Sequence, residues 1–490
     1  MADRKPLPAR PLADPGFDVP PEELRRLGYL AADAVAEHRA KLTERPVFGK
    51  VGGEASVFEG PVPEEGRPFE EVLAFAREHI LPRPMGNSHP RFFGFINASA
   101  DPVGIAADYL ASAMNPNCWG GDHAAIHVET RVMSWIGQLL GYPPEAEGIL
   151  VSGGSMANFT ALAAARRAVF PGNVREAGVA AGPRLVVYAS DQVHHCVDKA
   201  VDLLGIGTAN LRKIPTDDSF RIRMDSLREA VAADRKAGLA PAILVGSAGT
   251  VNTGAIDPLE ELADFARNEK LWFHVDGAYG AMARLSPKLS PLFAGMERAD
   301  SIAADPHKWL YVPYEAGATL VREPGRLAAA FRRFPEYLAQ DSESPFPGPA
   351  WFAERGVELS RGFKALKVWM GFQVRGRRGY AAAIERDVAL AHFLAEEAAG
   401  RPDLELLAET VLSIVNFRYK PRRSNLTSDA LDLVNRRIVN SLVGSGSFFL
   451  APTILKGRAS LRVCIVNFRT QEDDLRFLLD EVERIGASLV

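Results

Sequence analysis

The segment Leu271-Trp272-Phe273-His274-Val275-Asp276-Gly277-Ala278-Tyr279 is a short apolar run that ends on an acid and a glycine. It reads as a strand buried on both faces, with Asp276 where the chain leaves the sheet. Working outward, Ile149–Ser152, Leu185–Ala189, Ala242–Gly246, Ser301–Ala304 and Ala318–Val321 have the same β-rich character. Helical spacing falls between many of them, at Met156–Ala168, Val197–Leu204 and Pro258–Asn268. This alternation predicts an α/β fold with a mainly parallel, twisted sheet covered on both faces. Ligands of such sheets bind at the carboxyl ends of the strands.

The rhythm changes after Phe363. A long helical stretch, Ala365–Ala399, leads to strand candidates at Leu412–Tyr419, Phe448–Ile454 and Ser460–Val466, with helices at Asp429–Leu442 and Gln471–Ile485. That pattern predicts a smaller α+β domain with an antiparallel sheet. At the other end, Leu24, Leu27, Leu30, Ala31 and Val35 recur at helical spacing and predict a long amphipathic helix from Pro21 to about Leu42. The expected division is residues 1–88, 89–378 and 379–490. Between Asp341 and Pro349 the chain loses periodicity and reads as a mobile loop.

Composition bounds the function. The 490 residues are too many for one compact core, and 47% hydrophobic with 24% charged residues is ordinary for a globular protein. A net charge of −4 argues against nucleic acid or an anionic membrane as partner. No apolar run approaches the roughly 18 residues needed to span a bilayer. The Pro-rich start has no apolar core, so it reads as an arm and not a signal peptide. Cys118, Cys196 and Cys464 are widely scattered, which suits a reducing cytoplasm and neither a disulfide framework nor a metal site.

Four motifs carry chemistry. Asp305-Pro306-His307-Lys308-Trp309-Leu310 offers a lysine able to hold an aldehyde cofactor, and Asp276 offers an acid able to keep a pyridine nitrogen protonated. That pairing is what pyridoxal phosphate chemistry demands. Val151-Ser152-Gly153-Gly154-Ser155-Met156 runs from a strand into a helix, where free N–H groups and the Ser155 hydroxyl could hold a phosphate; alone it is also a plain turn and cap. Its spacing lacks the P-loop lysine and the dinucleotide glycine pattern. Ser190-Asp191-Gln192-Val193-His194-His195 brings an imidazole to another strand end, either to stack on a ring or simply to flank a helix. Gly249-Thr250-Val251-Asn252-Thr253-Gly254 closes a further strand with small residues and offers the Thr250 hydroxyl.

In this order, the pieces resemble the pyridoxal-phosphate-dependent amino-acid decarboxylases of the aromatic-amino-acid, histidine and glutamate decarboxylase group. The resemblance runs from about Pro21 to Arg469 and is carried by HPRFFGFINASA, SGGSMANFTAL, SDQVHH, WFHVDGAYG, ADSIAADPHKWL and RGFKALKVW. It implies the aspartate-aminotransferase-like fold (fold type I) and a homodimer with sites at its interface, the N-terminal helix crossing to the partner. It also implies Lys308 as the Schiff-base lysine, Asp276 as the pyridinium partner and His194 stacked on the ring. Gly154 and Ser155 would bind phosphate, Thr250 and Ala278 would line the ring, and His307 would lie close to phosphate and substrate. Phe95, Asn115, Asn117 and Trp119 match positions lining the substrate cavity. The implied reaction is decarboxylation of an L-amino acid, aromatic or related, to an amine.

Three departures from the family pattern matter. Asp305 stands where many members carry Asn near the phosphate; a carboxylate facing a dianion is unfavourable, so it is expected to turn toward backbone amides. Asn115 and Asn117 replace apolar residues of the animal aromatic decarboxylases. Counting back without gaps from Arg361-Gly362-Phe363, the catalytic loop tyrosine falls on Phe352, with Tyr337 the nearest alternative. A phenylalanine cannot protonate the substrate's α-carbon, which opens a rival product set of aldehyde, ammonia and peroxide. An aminotransferase and a silent cofactor-binding paralogue are the other rivals, and the intact Lys308, Asp276 and phosphate turn weigh against the latter.

Overall fold

A computed structural model describes residues 17–333, 348–422 and 425–490. The chain divides into two compact units, Met1–Gly86 and Asn87–Val490. In the first, Pro21–Ala40 is a 20-residue helix, opened by a proline in its first turn and by Glu22 and Glu23 near its positive end. Arg26 pairs with Glu70 of the short helix Phe69–Phe75. Its apolar stripe is poorly covered: Leu24, Tyr29 and Val35 are exposed, and Ala34 is its one buried residue.

Among the described residues, the second unit holds two sheets. The larger comprises β1 (Glu147–Val151), β2 (Leu185–Ser190), β3 (Leu211–Ile214), β4 (Ala240–Ser247), β5 (Trp272–Asp276), β6 (Ser301–Ala304) and β7 (Gly317–Val321). Their order is β1-β7-β6-β5-β4-β2-β3, and β7 alone runs against its neighbours. Every residue of β1, β2, β5, β6 and β7 is buried, the cause of their unbroken apolar character. The sequence reading anticipated these strands but not β3. That strand lies at the sheet edge with Arg212 and Lys213 at its centre, a charged pattern that protects an edge from further pairing.

The smaller sheet contains β8 (Leu404–Leu406), β9 (Ile414–Tyr419), β10 (Ala451–Leu455) and β11 (Arg458–Cys464), all antiparallel in the order β10-β11-β9-β8. A two-residue turn closes β10 onto β11: Lys456 and Gly457 both have positive φ, at 47° and 77°, matching the twist of the hairpin. Helices Ser428–Gly444 and Glu472–Leu489 pack with this sheet around a separate core that includes Phe417, Ile438, Leu461 and Leu478. A long helical element, Ala365–Gly400, joins the two cores. It breaks at Gly376, whose φ of 64° and ψ of 169° suit glycine alone.

Candidate active site

Because six strands of the large sheet point the same way, their carboxyl ends converge on one edge. There the chain forms a cavity of about 480 Å³. β5 delivers Asp276, the turn after β6 delivers Asp305, His307 and Lys308, and the loop after β2 delivers His194. From β1 the chain passes through Gly153 into the helix Gly154–Val169, which no side chain caps, so its first N–H groups stand open to an anion. The turn is tight. A Cβ on Gly154 would lie 2.8 Å from Asp305 Oδ2 and 3.0 Å from the Ala278 Cβ, and one on Gly153 would lie 3.0 Å from His307 Cε1. Uncapped donors, a close-set glycine cradle and a neighbouring lysine suit a phosphate-bearing aldehyde.

Asp276 is buried, and its Oδ1 accepts from the Ala278 N–H at 3.1 Å. Its Oδ2 lies 4.0 Å from Cys196 Sγ, and that carboxylate helps burial push the Cys196 thiol far up. His194 Nδ1 accepts from the Cys196 N–H at 3.2 Å, which leaves the ring proton on Nε2. Burial pulls the His194 pKa down, against the opposing pull of Asp276. Behind Asp276 on the same strand face, His274 joins a buried chain of hydrogen bonds. Trp272 Nε1 donates to Ser301 Oγ at 2.9 Å, Ser301 Oγ meets His274 Nδ1 at 2.9 Å, and His274 Nε2 meets Asn158 Oδ1 at 2.8 Å. Asn158 Nδ2 then donates to the Gly154 carbonyl at 2.8 Å. Burial takes the His274 pKa down to about 4, so it stays neutral and ties the strand carrying Asp276 to the glycine cradle.

Most of the residues expected at the cofactor do meet here: Lys308, Asp276, His194, Gly154, Ser155, Ala278, Asp305 and His307 all face the cavity, as does Phe95 from the substrate set. Thr250 does not. It is buried in its turn, where its hydroxyl pairs with Thr253 at 3.0 Å. Asp305 departs from expectation as well: instead of turning to backbone amides, its Oδ2 pairs with Lys308 Nζ at 3.0 Å and its Oδ1 is buried with no partner among the described residues.

Asn115, Asn117 and Trp119 lie away from the cavity of their own chain. Asn115 ends the helix Pro102–Met114 in the left-handed conformation, and Asn117 Oδ1 accepts from the Arg361 N–H at 3.0 Å. Trp119 packs edge-on against Trp351. Phe352 is likewise absent from the cavity. It is fully buried, with the Arg361 guanidinium 5.0 Å and the Arg355 guanidinium 5.3 Å from its ring centre. Arg361 in turn is locked by a buried pair with Glu129 and by the Cys118 and Leu150 carbonyls, so Phe352 covers a structural ion pair. Tyr337 lies outside the described residues.

Residue-level reading missed Arg462, Tyr314 and Asn97, all of which line the cavity. Arg462 is buried in β11; it donates to the Val251 carbonyl at 2.6 Å and the Phe95 carbonyl at 3.1 Å, and its Nη2 has no partner among the described residues. Tyr314 packs against His307 with the rings tilted by 42° and donates to Asn97 Oδ1 at 2.7 Å. An arginine inside an alternating strand is the ordinary pattern of a solvated face, so the only signal was the burial of its neighbours.

Comparison with known proteins accords with this geometry. Residues 53–420 match the pyridoxal-dependent decarboxylase conserved domain. An aromatic-L-amino-acid decarboxylase of Bacillus atrophaeus is 37% identical over 470 residues, covering 95% of this chain and 96% of its own. A phenylacetaldehyde synthase of Arabidopsis thaliana is 29% identical, covering 93% and 94% respectively. Among solved structures, Oryza sativa TDC with PLP and tryptamine superposes with a TM-score of 0.89 at 28% identity, over 96% of this chain and 99% of its own. With that match across most of its length, the chain belongs to the family of pyridoxal-dependent decarboxylases, and its cofactor is pyridoxal phosphate.

Proposed function

We propose that this enzyme converts an aromatic L-amino acid to its amine and carbon dioxide in the cavity at the carboxyl edge of the large sheet. The convergence of Lys308, Asp276 and the Gly154 cradle on that cavity carries the reading; the similarity to the Bacillus atrophaeus enzyme supports the aromatic class. When bound, the cofactor supplies an aldehyde for the substrate amine and a protonated ring that accepts the electrons of the breaking bond. Lys308 Nζ is the amine that holds and releases it. Asp276 Oδ2, free of strong donors, keeps the ring nitrogen protonated. His194, whose Nδ1 accepts from the Cys196 N–H, would cover one face of the ring and offer its Nε2–H as a hydrogen-bond donor. Arg462 Nη2 is the unpaired donor that fits the substrate carboxylate, and its fixed position would orient the bond to be cleaved.

Asn115, Asn117 and Trp119 would reach substrate from a second copy of the chain. The exposed Leu24, Tyr29 and Val35 of the N-terminal helix, with Tyr109, Leu110 and Met114, would cover the dimer surface. Three buried free cysteines fit a cytoplasmic enzyme. The test is a screen of aromatic and acidic amino acids for carbon dioxide release, with amine, aldehyde and peroxide measured together and the assembly followed by sedimentation. Amine from an aromatic substrate by a dimer is expected. Release from acidic substrates alone, or a fully active monomer, would refute the corresponding part. The burial of Phe352 beside Arg361 removes that position's support for an aldehyde product.

A further inference from the structure

Four buried polar side chains link the strand that carries Asp276 to the turn assigned to the cofactor's phosphate, and their hydrogen bonds all run one way. The Gly154 carbonyl only accepts, so the Asn158 atom 2.8 Å from it is the amide nitrogen. The Asn158 oxygen therefore faces His274 Nε2, 2.8 Å away, and that nitrogen carries the imidazole proton. Burial keeps His274 neutral, so its bare Nδ1 accepts from the Ser301 hydroxyl at 2.9 Å. Ser301 Oγ accepts in turn from Trp272 Nε1 at 2.9 Å. Asn158, His274 and Ser301 are each 0% exposed, and Trp272 is 8% exposed. Apolar side chains would fill the same space with no polar group to satisfy, so packing alone does not call for this relay.

What the relay fixes is a direction. The Gly154 C=O and the Ser155 N–H belong to one planar peptide group and point opposite ways, so a held carbonyl aims the N–H. That N–H lies at the uncapped start of the helix Gly154–Val169, where anions bind. At the other end of the relay, Trp272 and His274 share a face of β5 with Asp276, and Ser301 stands opposite His274 on β6. The donor aimed at the phosphate and the acid aimed at the ring nitrogen are thus referenced to the same strand. Of Asn158 and His274, only Asn158 lines the cavity.

We propose that Trp272, Ser301, His274 and Asn158 are positioning residues for the cofactor's phosphate: they hold the Gly154–Ser155 peptide so that the Ser155 N–H donates to a phosphate oxygen. The proposal rests on the phosphate lying at Gly154 and Ser155. Breaking the relay then weakens the grip on the phosphate and leaves ring binding and the bond to Lys308 in place.

The experiment titrates apoenzyme with pyridoxal phosphate and with pyridoxal, which share the ring and the aldehyde and differ by the phosphate. The readout is the ratio of the two Kd values, which a general loosening of the fold would not move. Asn158→Leu, close in shape, is expected to cut the preference for pyridoxal phosphate about tenfold, the worth of one hydrogen bond to a charged acceptor. His274→Phe keeps a ring but neither polar atom, and is expected to cut it roughly three- to tenfold. His274→Gln, whose amide N–H can meet Asn158 Oδ1, should recover most of that loss. Ratios within about twofold of wild type in both Asn158→Leu and His274→Phe would overturn the proposal. So would a loss in Asn158→Leu alone, which marks a direct contact, or a loss in His274→Phe that His274→Gln does not recover. If His274→Phe does not fold, Asn158→Thr takes its place, because a threonine hydroxyl can donate to the carbonyl four residues back. Recovery relative to Asn158→Leu then upholds the proposal, and its absence overturns it. A preference untouched by Ser155→Ala would show that the phosphate lies away from this turn, removing the cradle reading and the proposal together. Loss in Ser155→Ala with none in the relay variants removes the proposal alone.

Discussion

The wall of the cavity built by the seven-stranded sheet and the wall built by the four-stranded sheet deliver their polar groups in different ways. On the first, Asp276 is the last residue of β5, while Lys308 and His194 follow the ends of β6 and β2 by four residues each. On the second, Arg462 projects from within β11, paired across to Ala451 on one side and Asn416 on the other. A parallel sheet gathers every strand end at one edge, so its chemistry sits in turns. An antiparallel sheet offers only alternation, and a functional side chain there is one tooth of a comb: Leu461 and Val463 enter the small core while Arg462 faces the cavity. On the proposed reading, the first wall would carry the cofactor and the second would meet the substrate carboxylate.

If that division of labour holds, the largest losses come from the first wall. Lys308→Ala is expected to abolish covalent retention of the cofactor after borohydride reduction and to lower turnover by roughly five powers of ten, about 7 kcal/mol of barrier. Labelling of the variant, or of another lysine in the wild type, would break the assignment. Asp276→Ala comes next. Removing the charge-assisted partner of the ring nitrogen is expected to cost about 3–5 kcal/mol in the barrier while the unfolding midpoint moves far less. Near-native turnover would show that the ring nitrogen is held by another group.

The same contrast explains what could be read in advance. The strands of the large sheet were legible because full burial makes them continuous apolar runs, and the residues that line the cavity could be picked out because turns with glycine or a polar residue follow the strand ends. Edge strand β3 was hidden by Arg212 and Lys213, which interrupt its apolar run and pair with Asp234 and Asp198 respectively. Thr250 was misjudged because a hydroxyl in a glycine-rich turn resembles a ligand donor, whereas Thr253 three residues on satisfies it locally. Phe352 was reached by counting through residues without periodicity, and counting cannot see that Arg355 and Arg361 bracket its ring. Arg462 could not be found at all, since its role depends on a carboxyl edge belonging to the other sheet.

A third substitution sharpens the role of the second wall. Arg462→Met keeps length and apolar volume but removes the donors to Val251, Phe95 and the cavity. Loss of a hydrogen bond to a charged partner is worth about 1.5–3 kcal/mol, so kcat/KM is expected to fall roughly 10- to 150-fold. Cofactor affinity and absorbance should stay near wild type, because nothing in the cradle touches this residue. Arg462→Lys is expected to recover part of the loss. A variant that instead loses cofactor while keeping substrate affinity would reverse the proposed division between the walls.

The smallest effect concerns the pivot that joins them. Asp387, in the helical element Ala365–Gly400, accepts from the Tyr311 hydroxyl at 2.7 Å, three residues past Lys308, and the backbone of Asn467, just past β11, also faces it. Burial raises its carboxyl from an ordinary 3.8 to about 7, with the Tyr311 hydrogen bond and Arg386 pulling the other way. The native state therefore keeps a proton that the unfolded chain has already released across that interval. Stability falls as pH rises through it, by at most about 1.4 kcal/mol per pH unit. The buried histidines act in the opposite sense: His274, held near 4, favours folding increasingly as pH rises toward the ordinary histidine value. That contribution is common to wild type and Asp387→Asn, so it cancels in the difference between them. Urea midpoints measured at about pH 5.5 and about pH 7 should show the wild type losing about 1–2 kcal/mol relative to the variant. Parallel behaviour would mean that Asp387 is ionised throughout and that the pivot between the walls is an anion stabilised by Arg386.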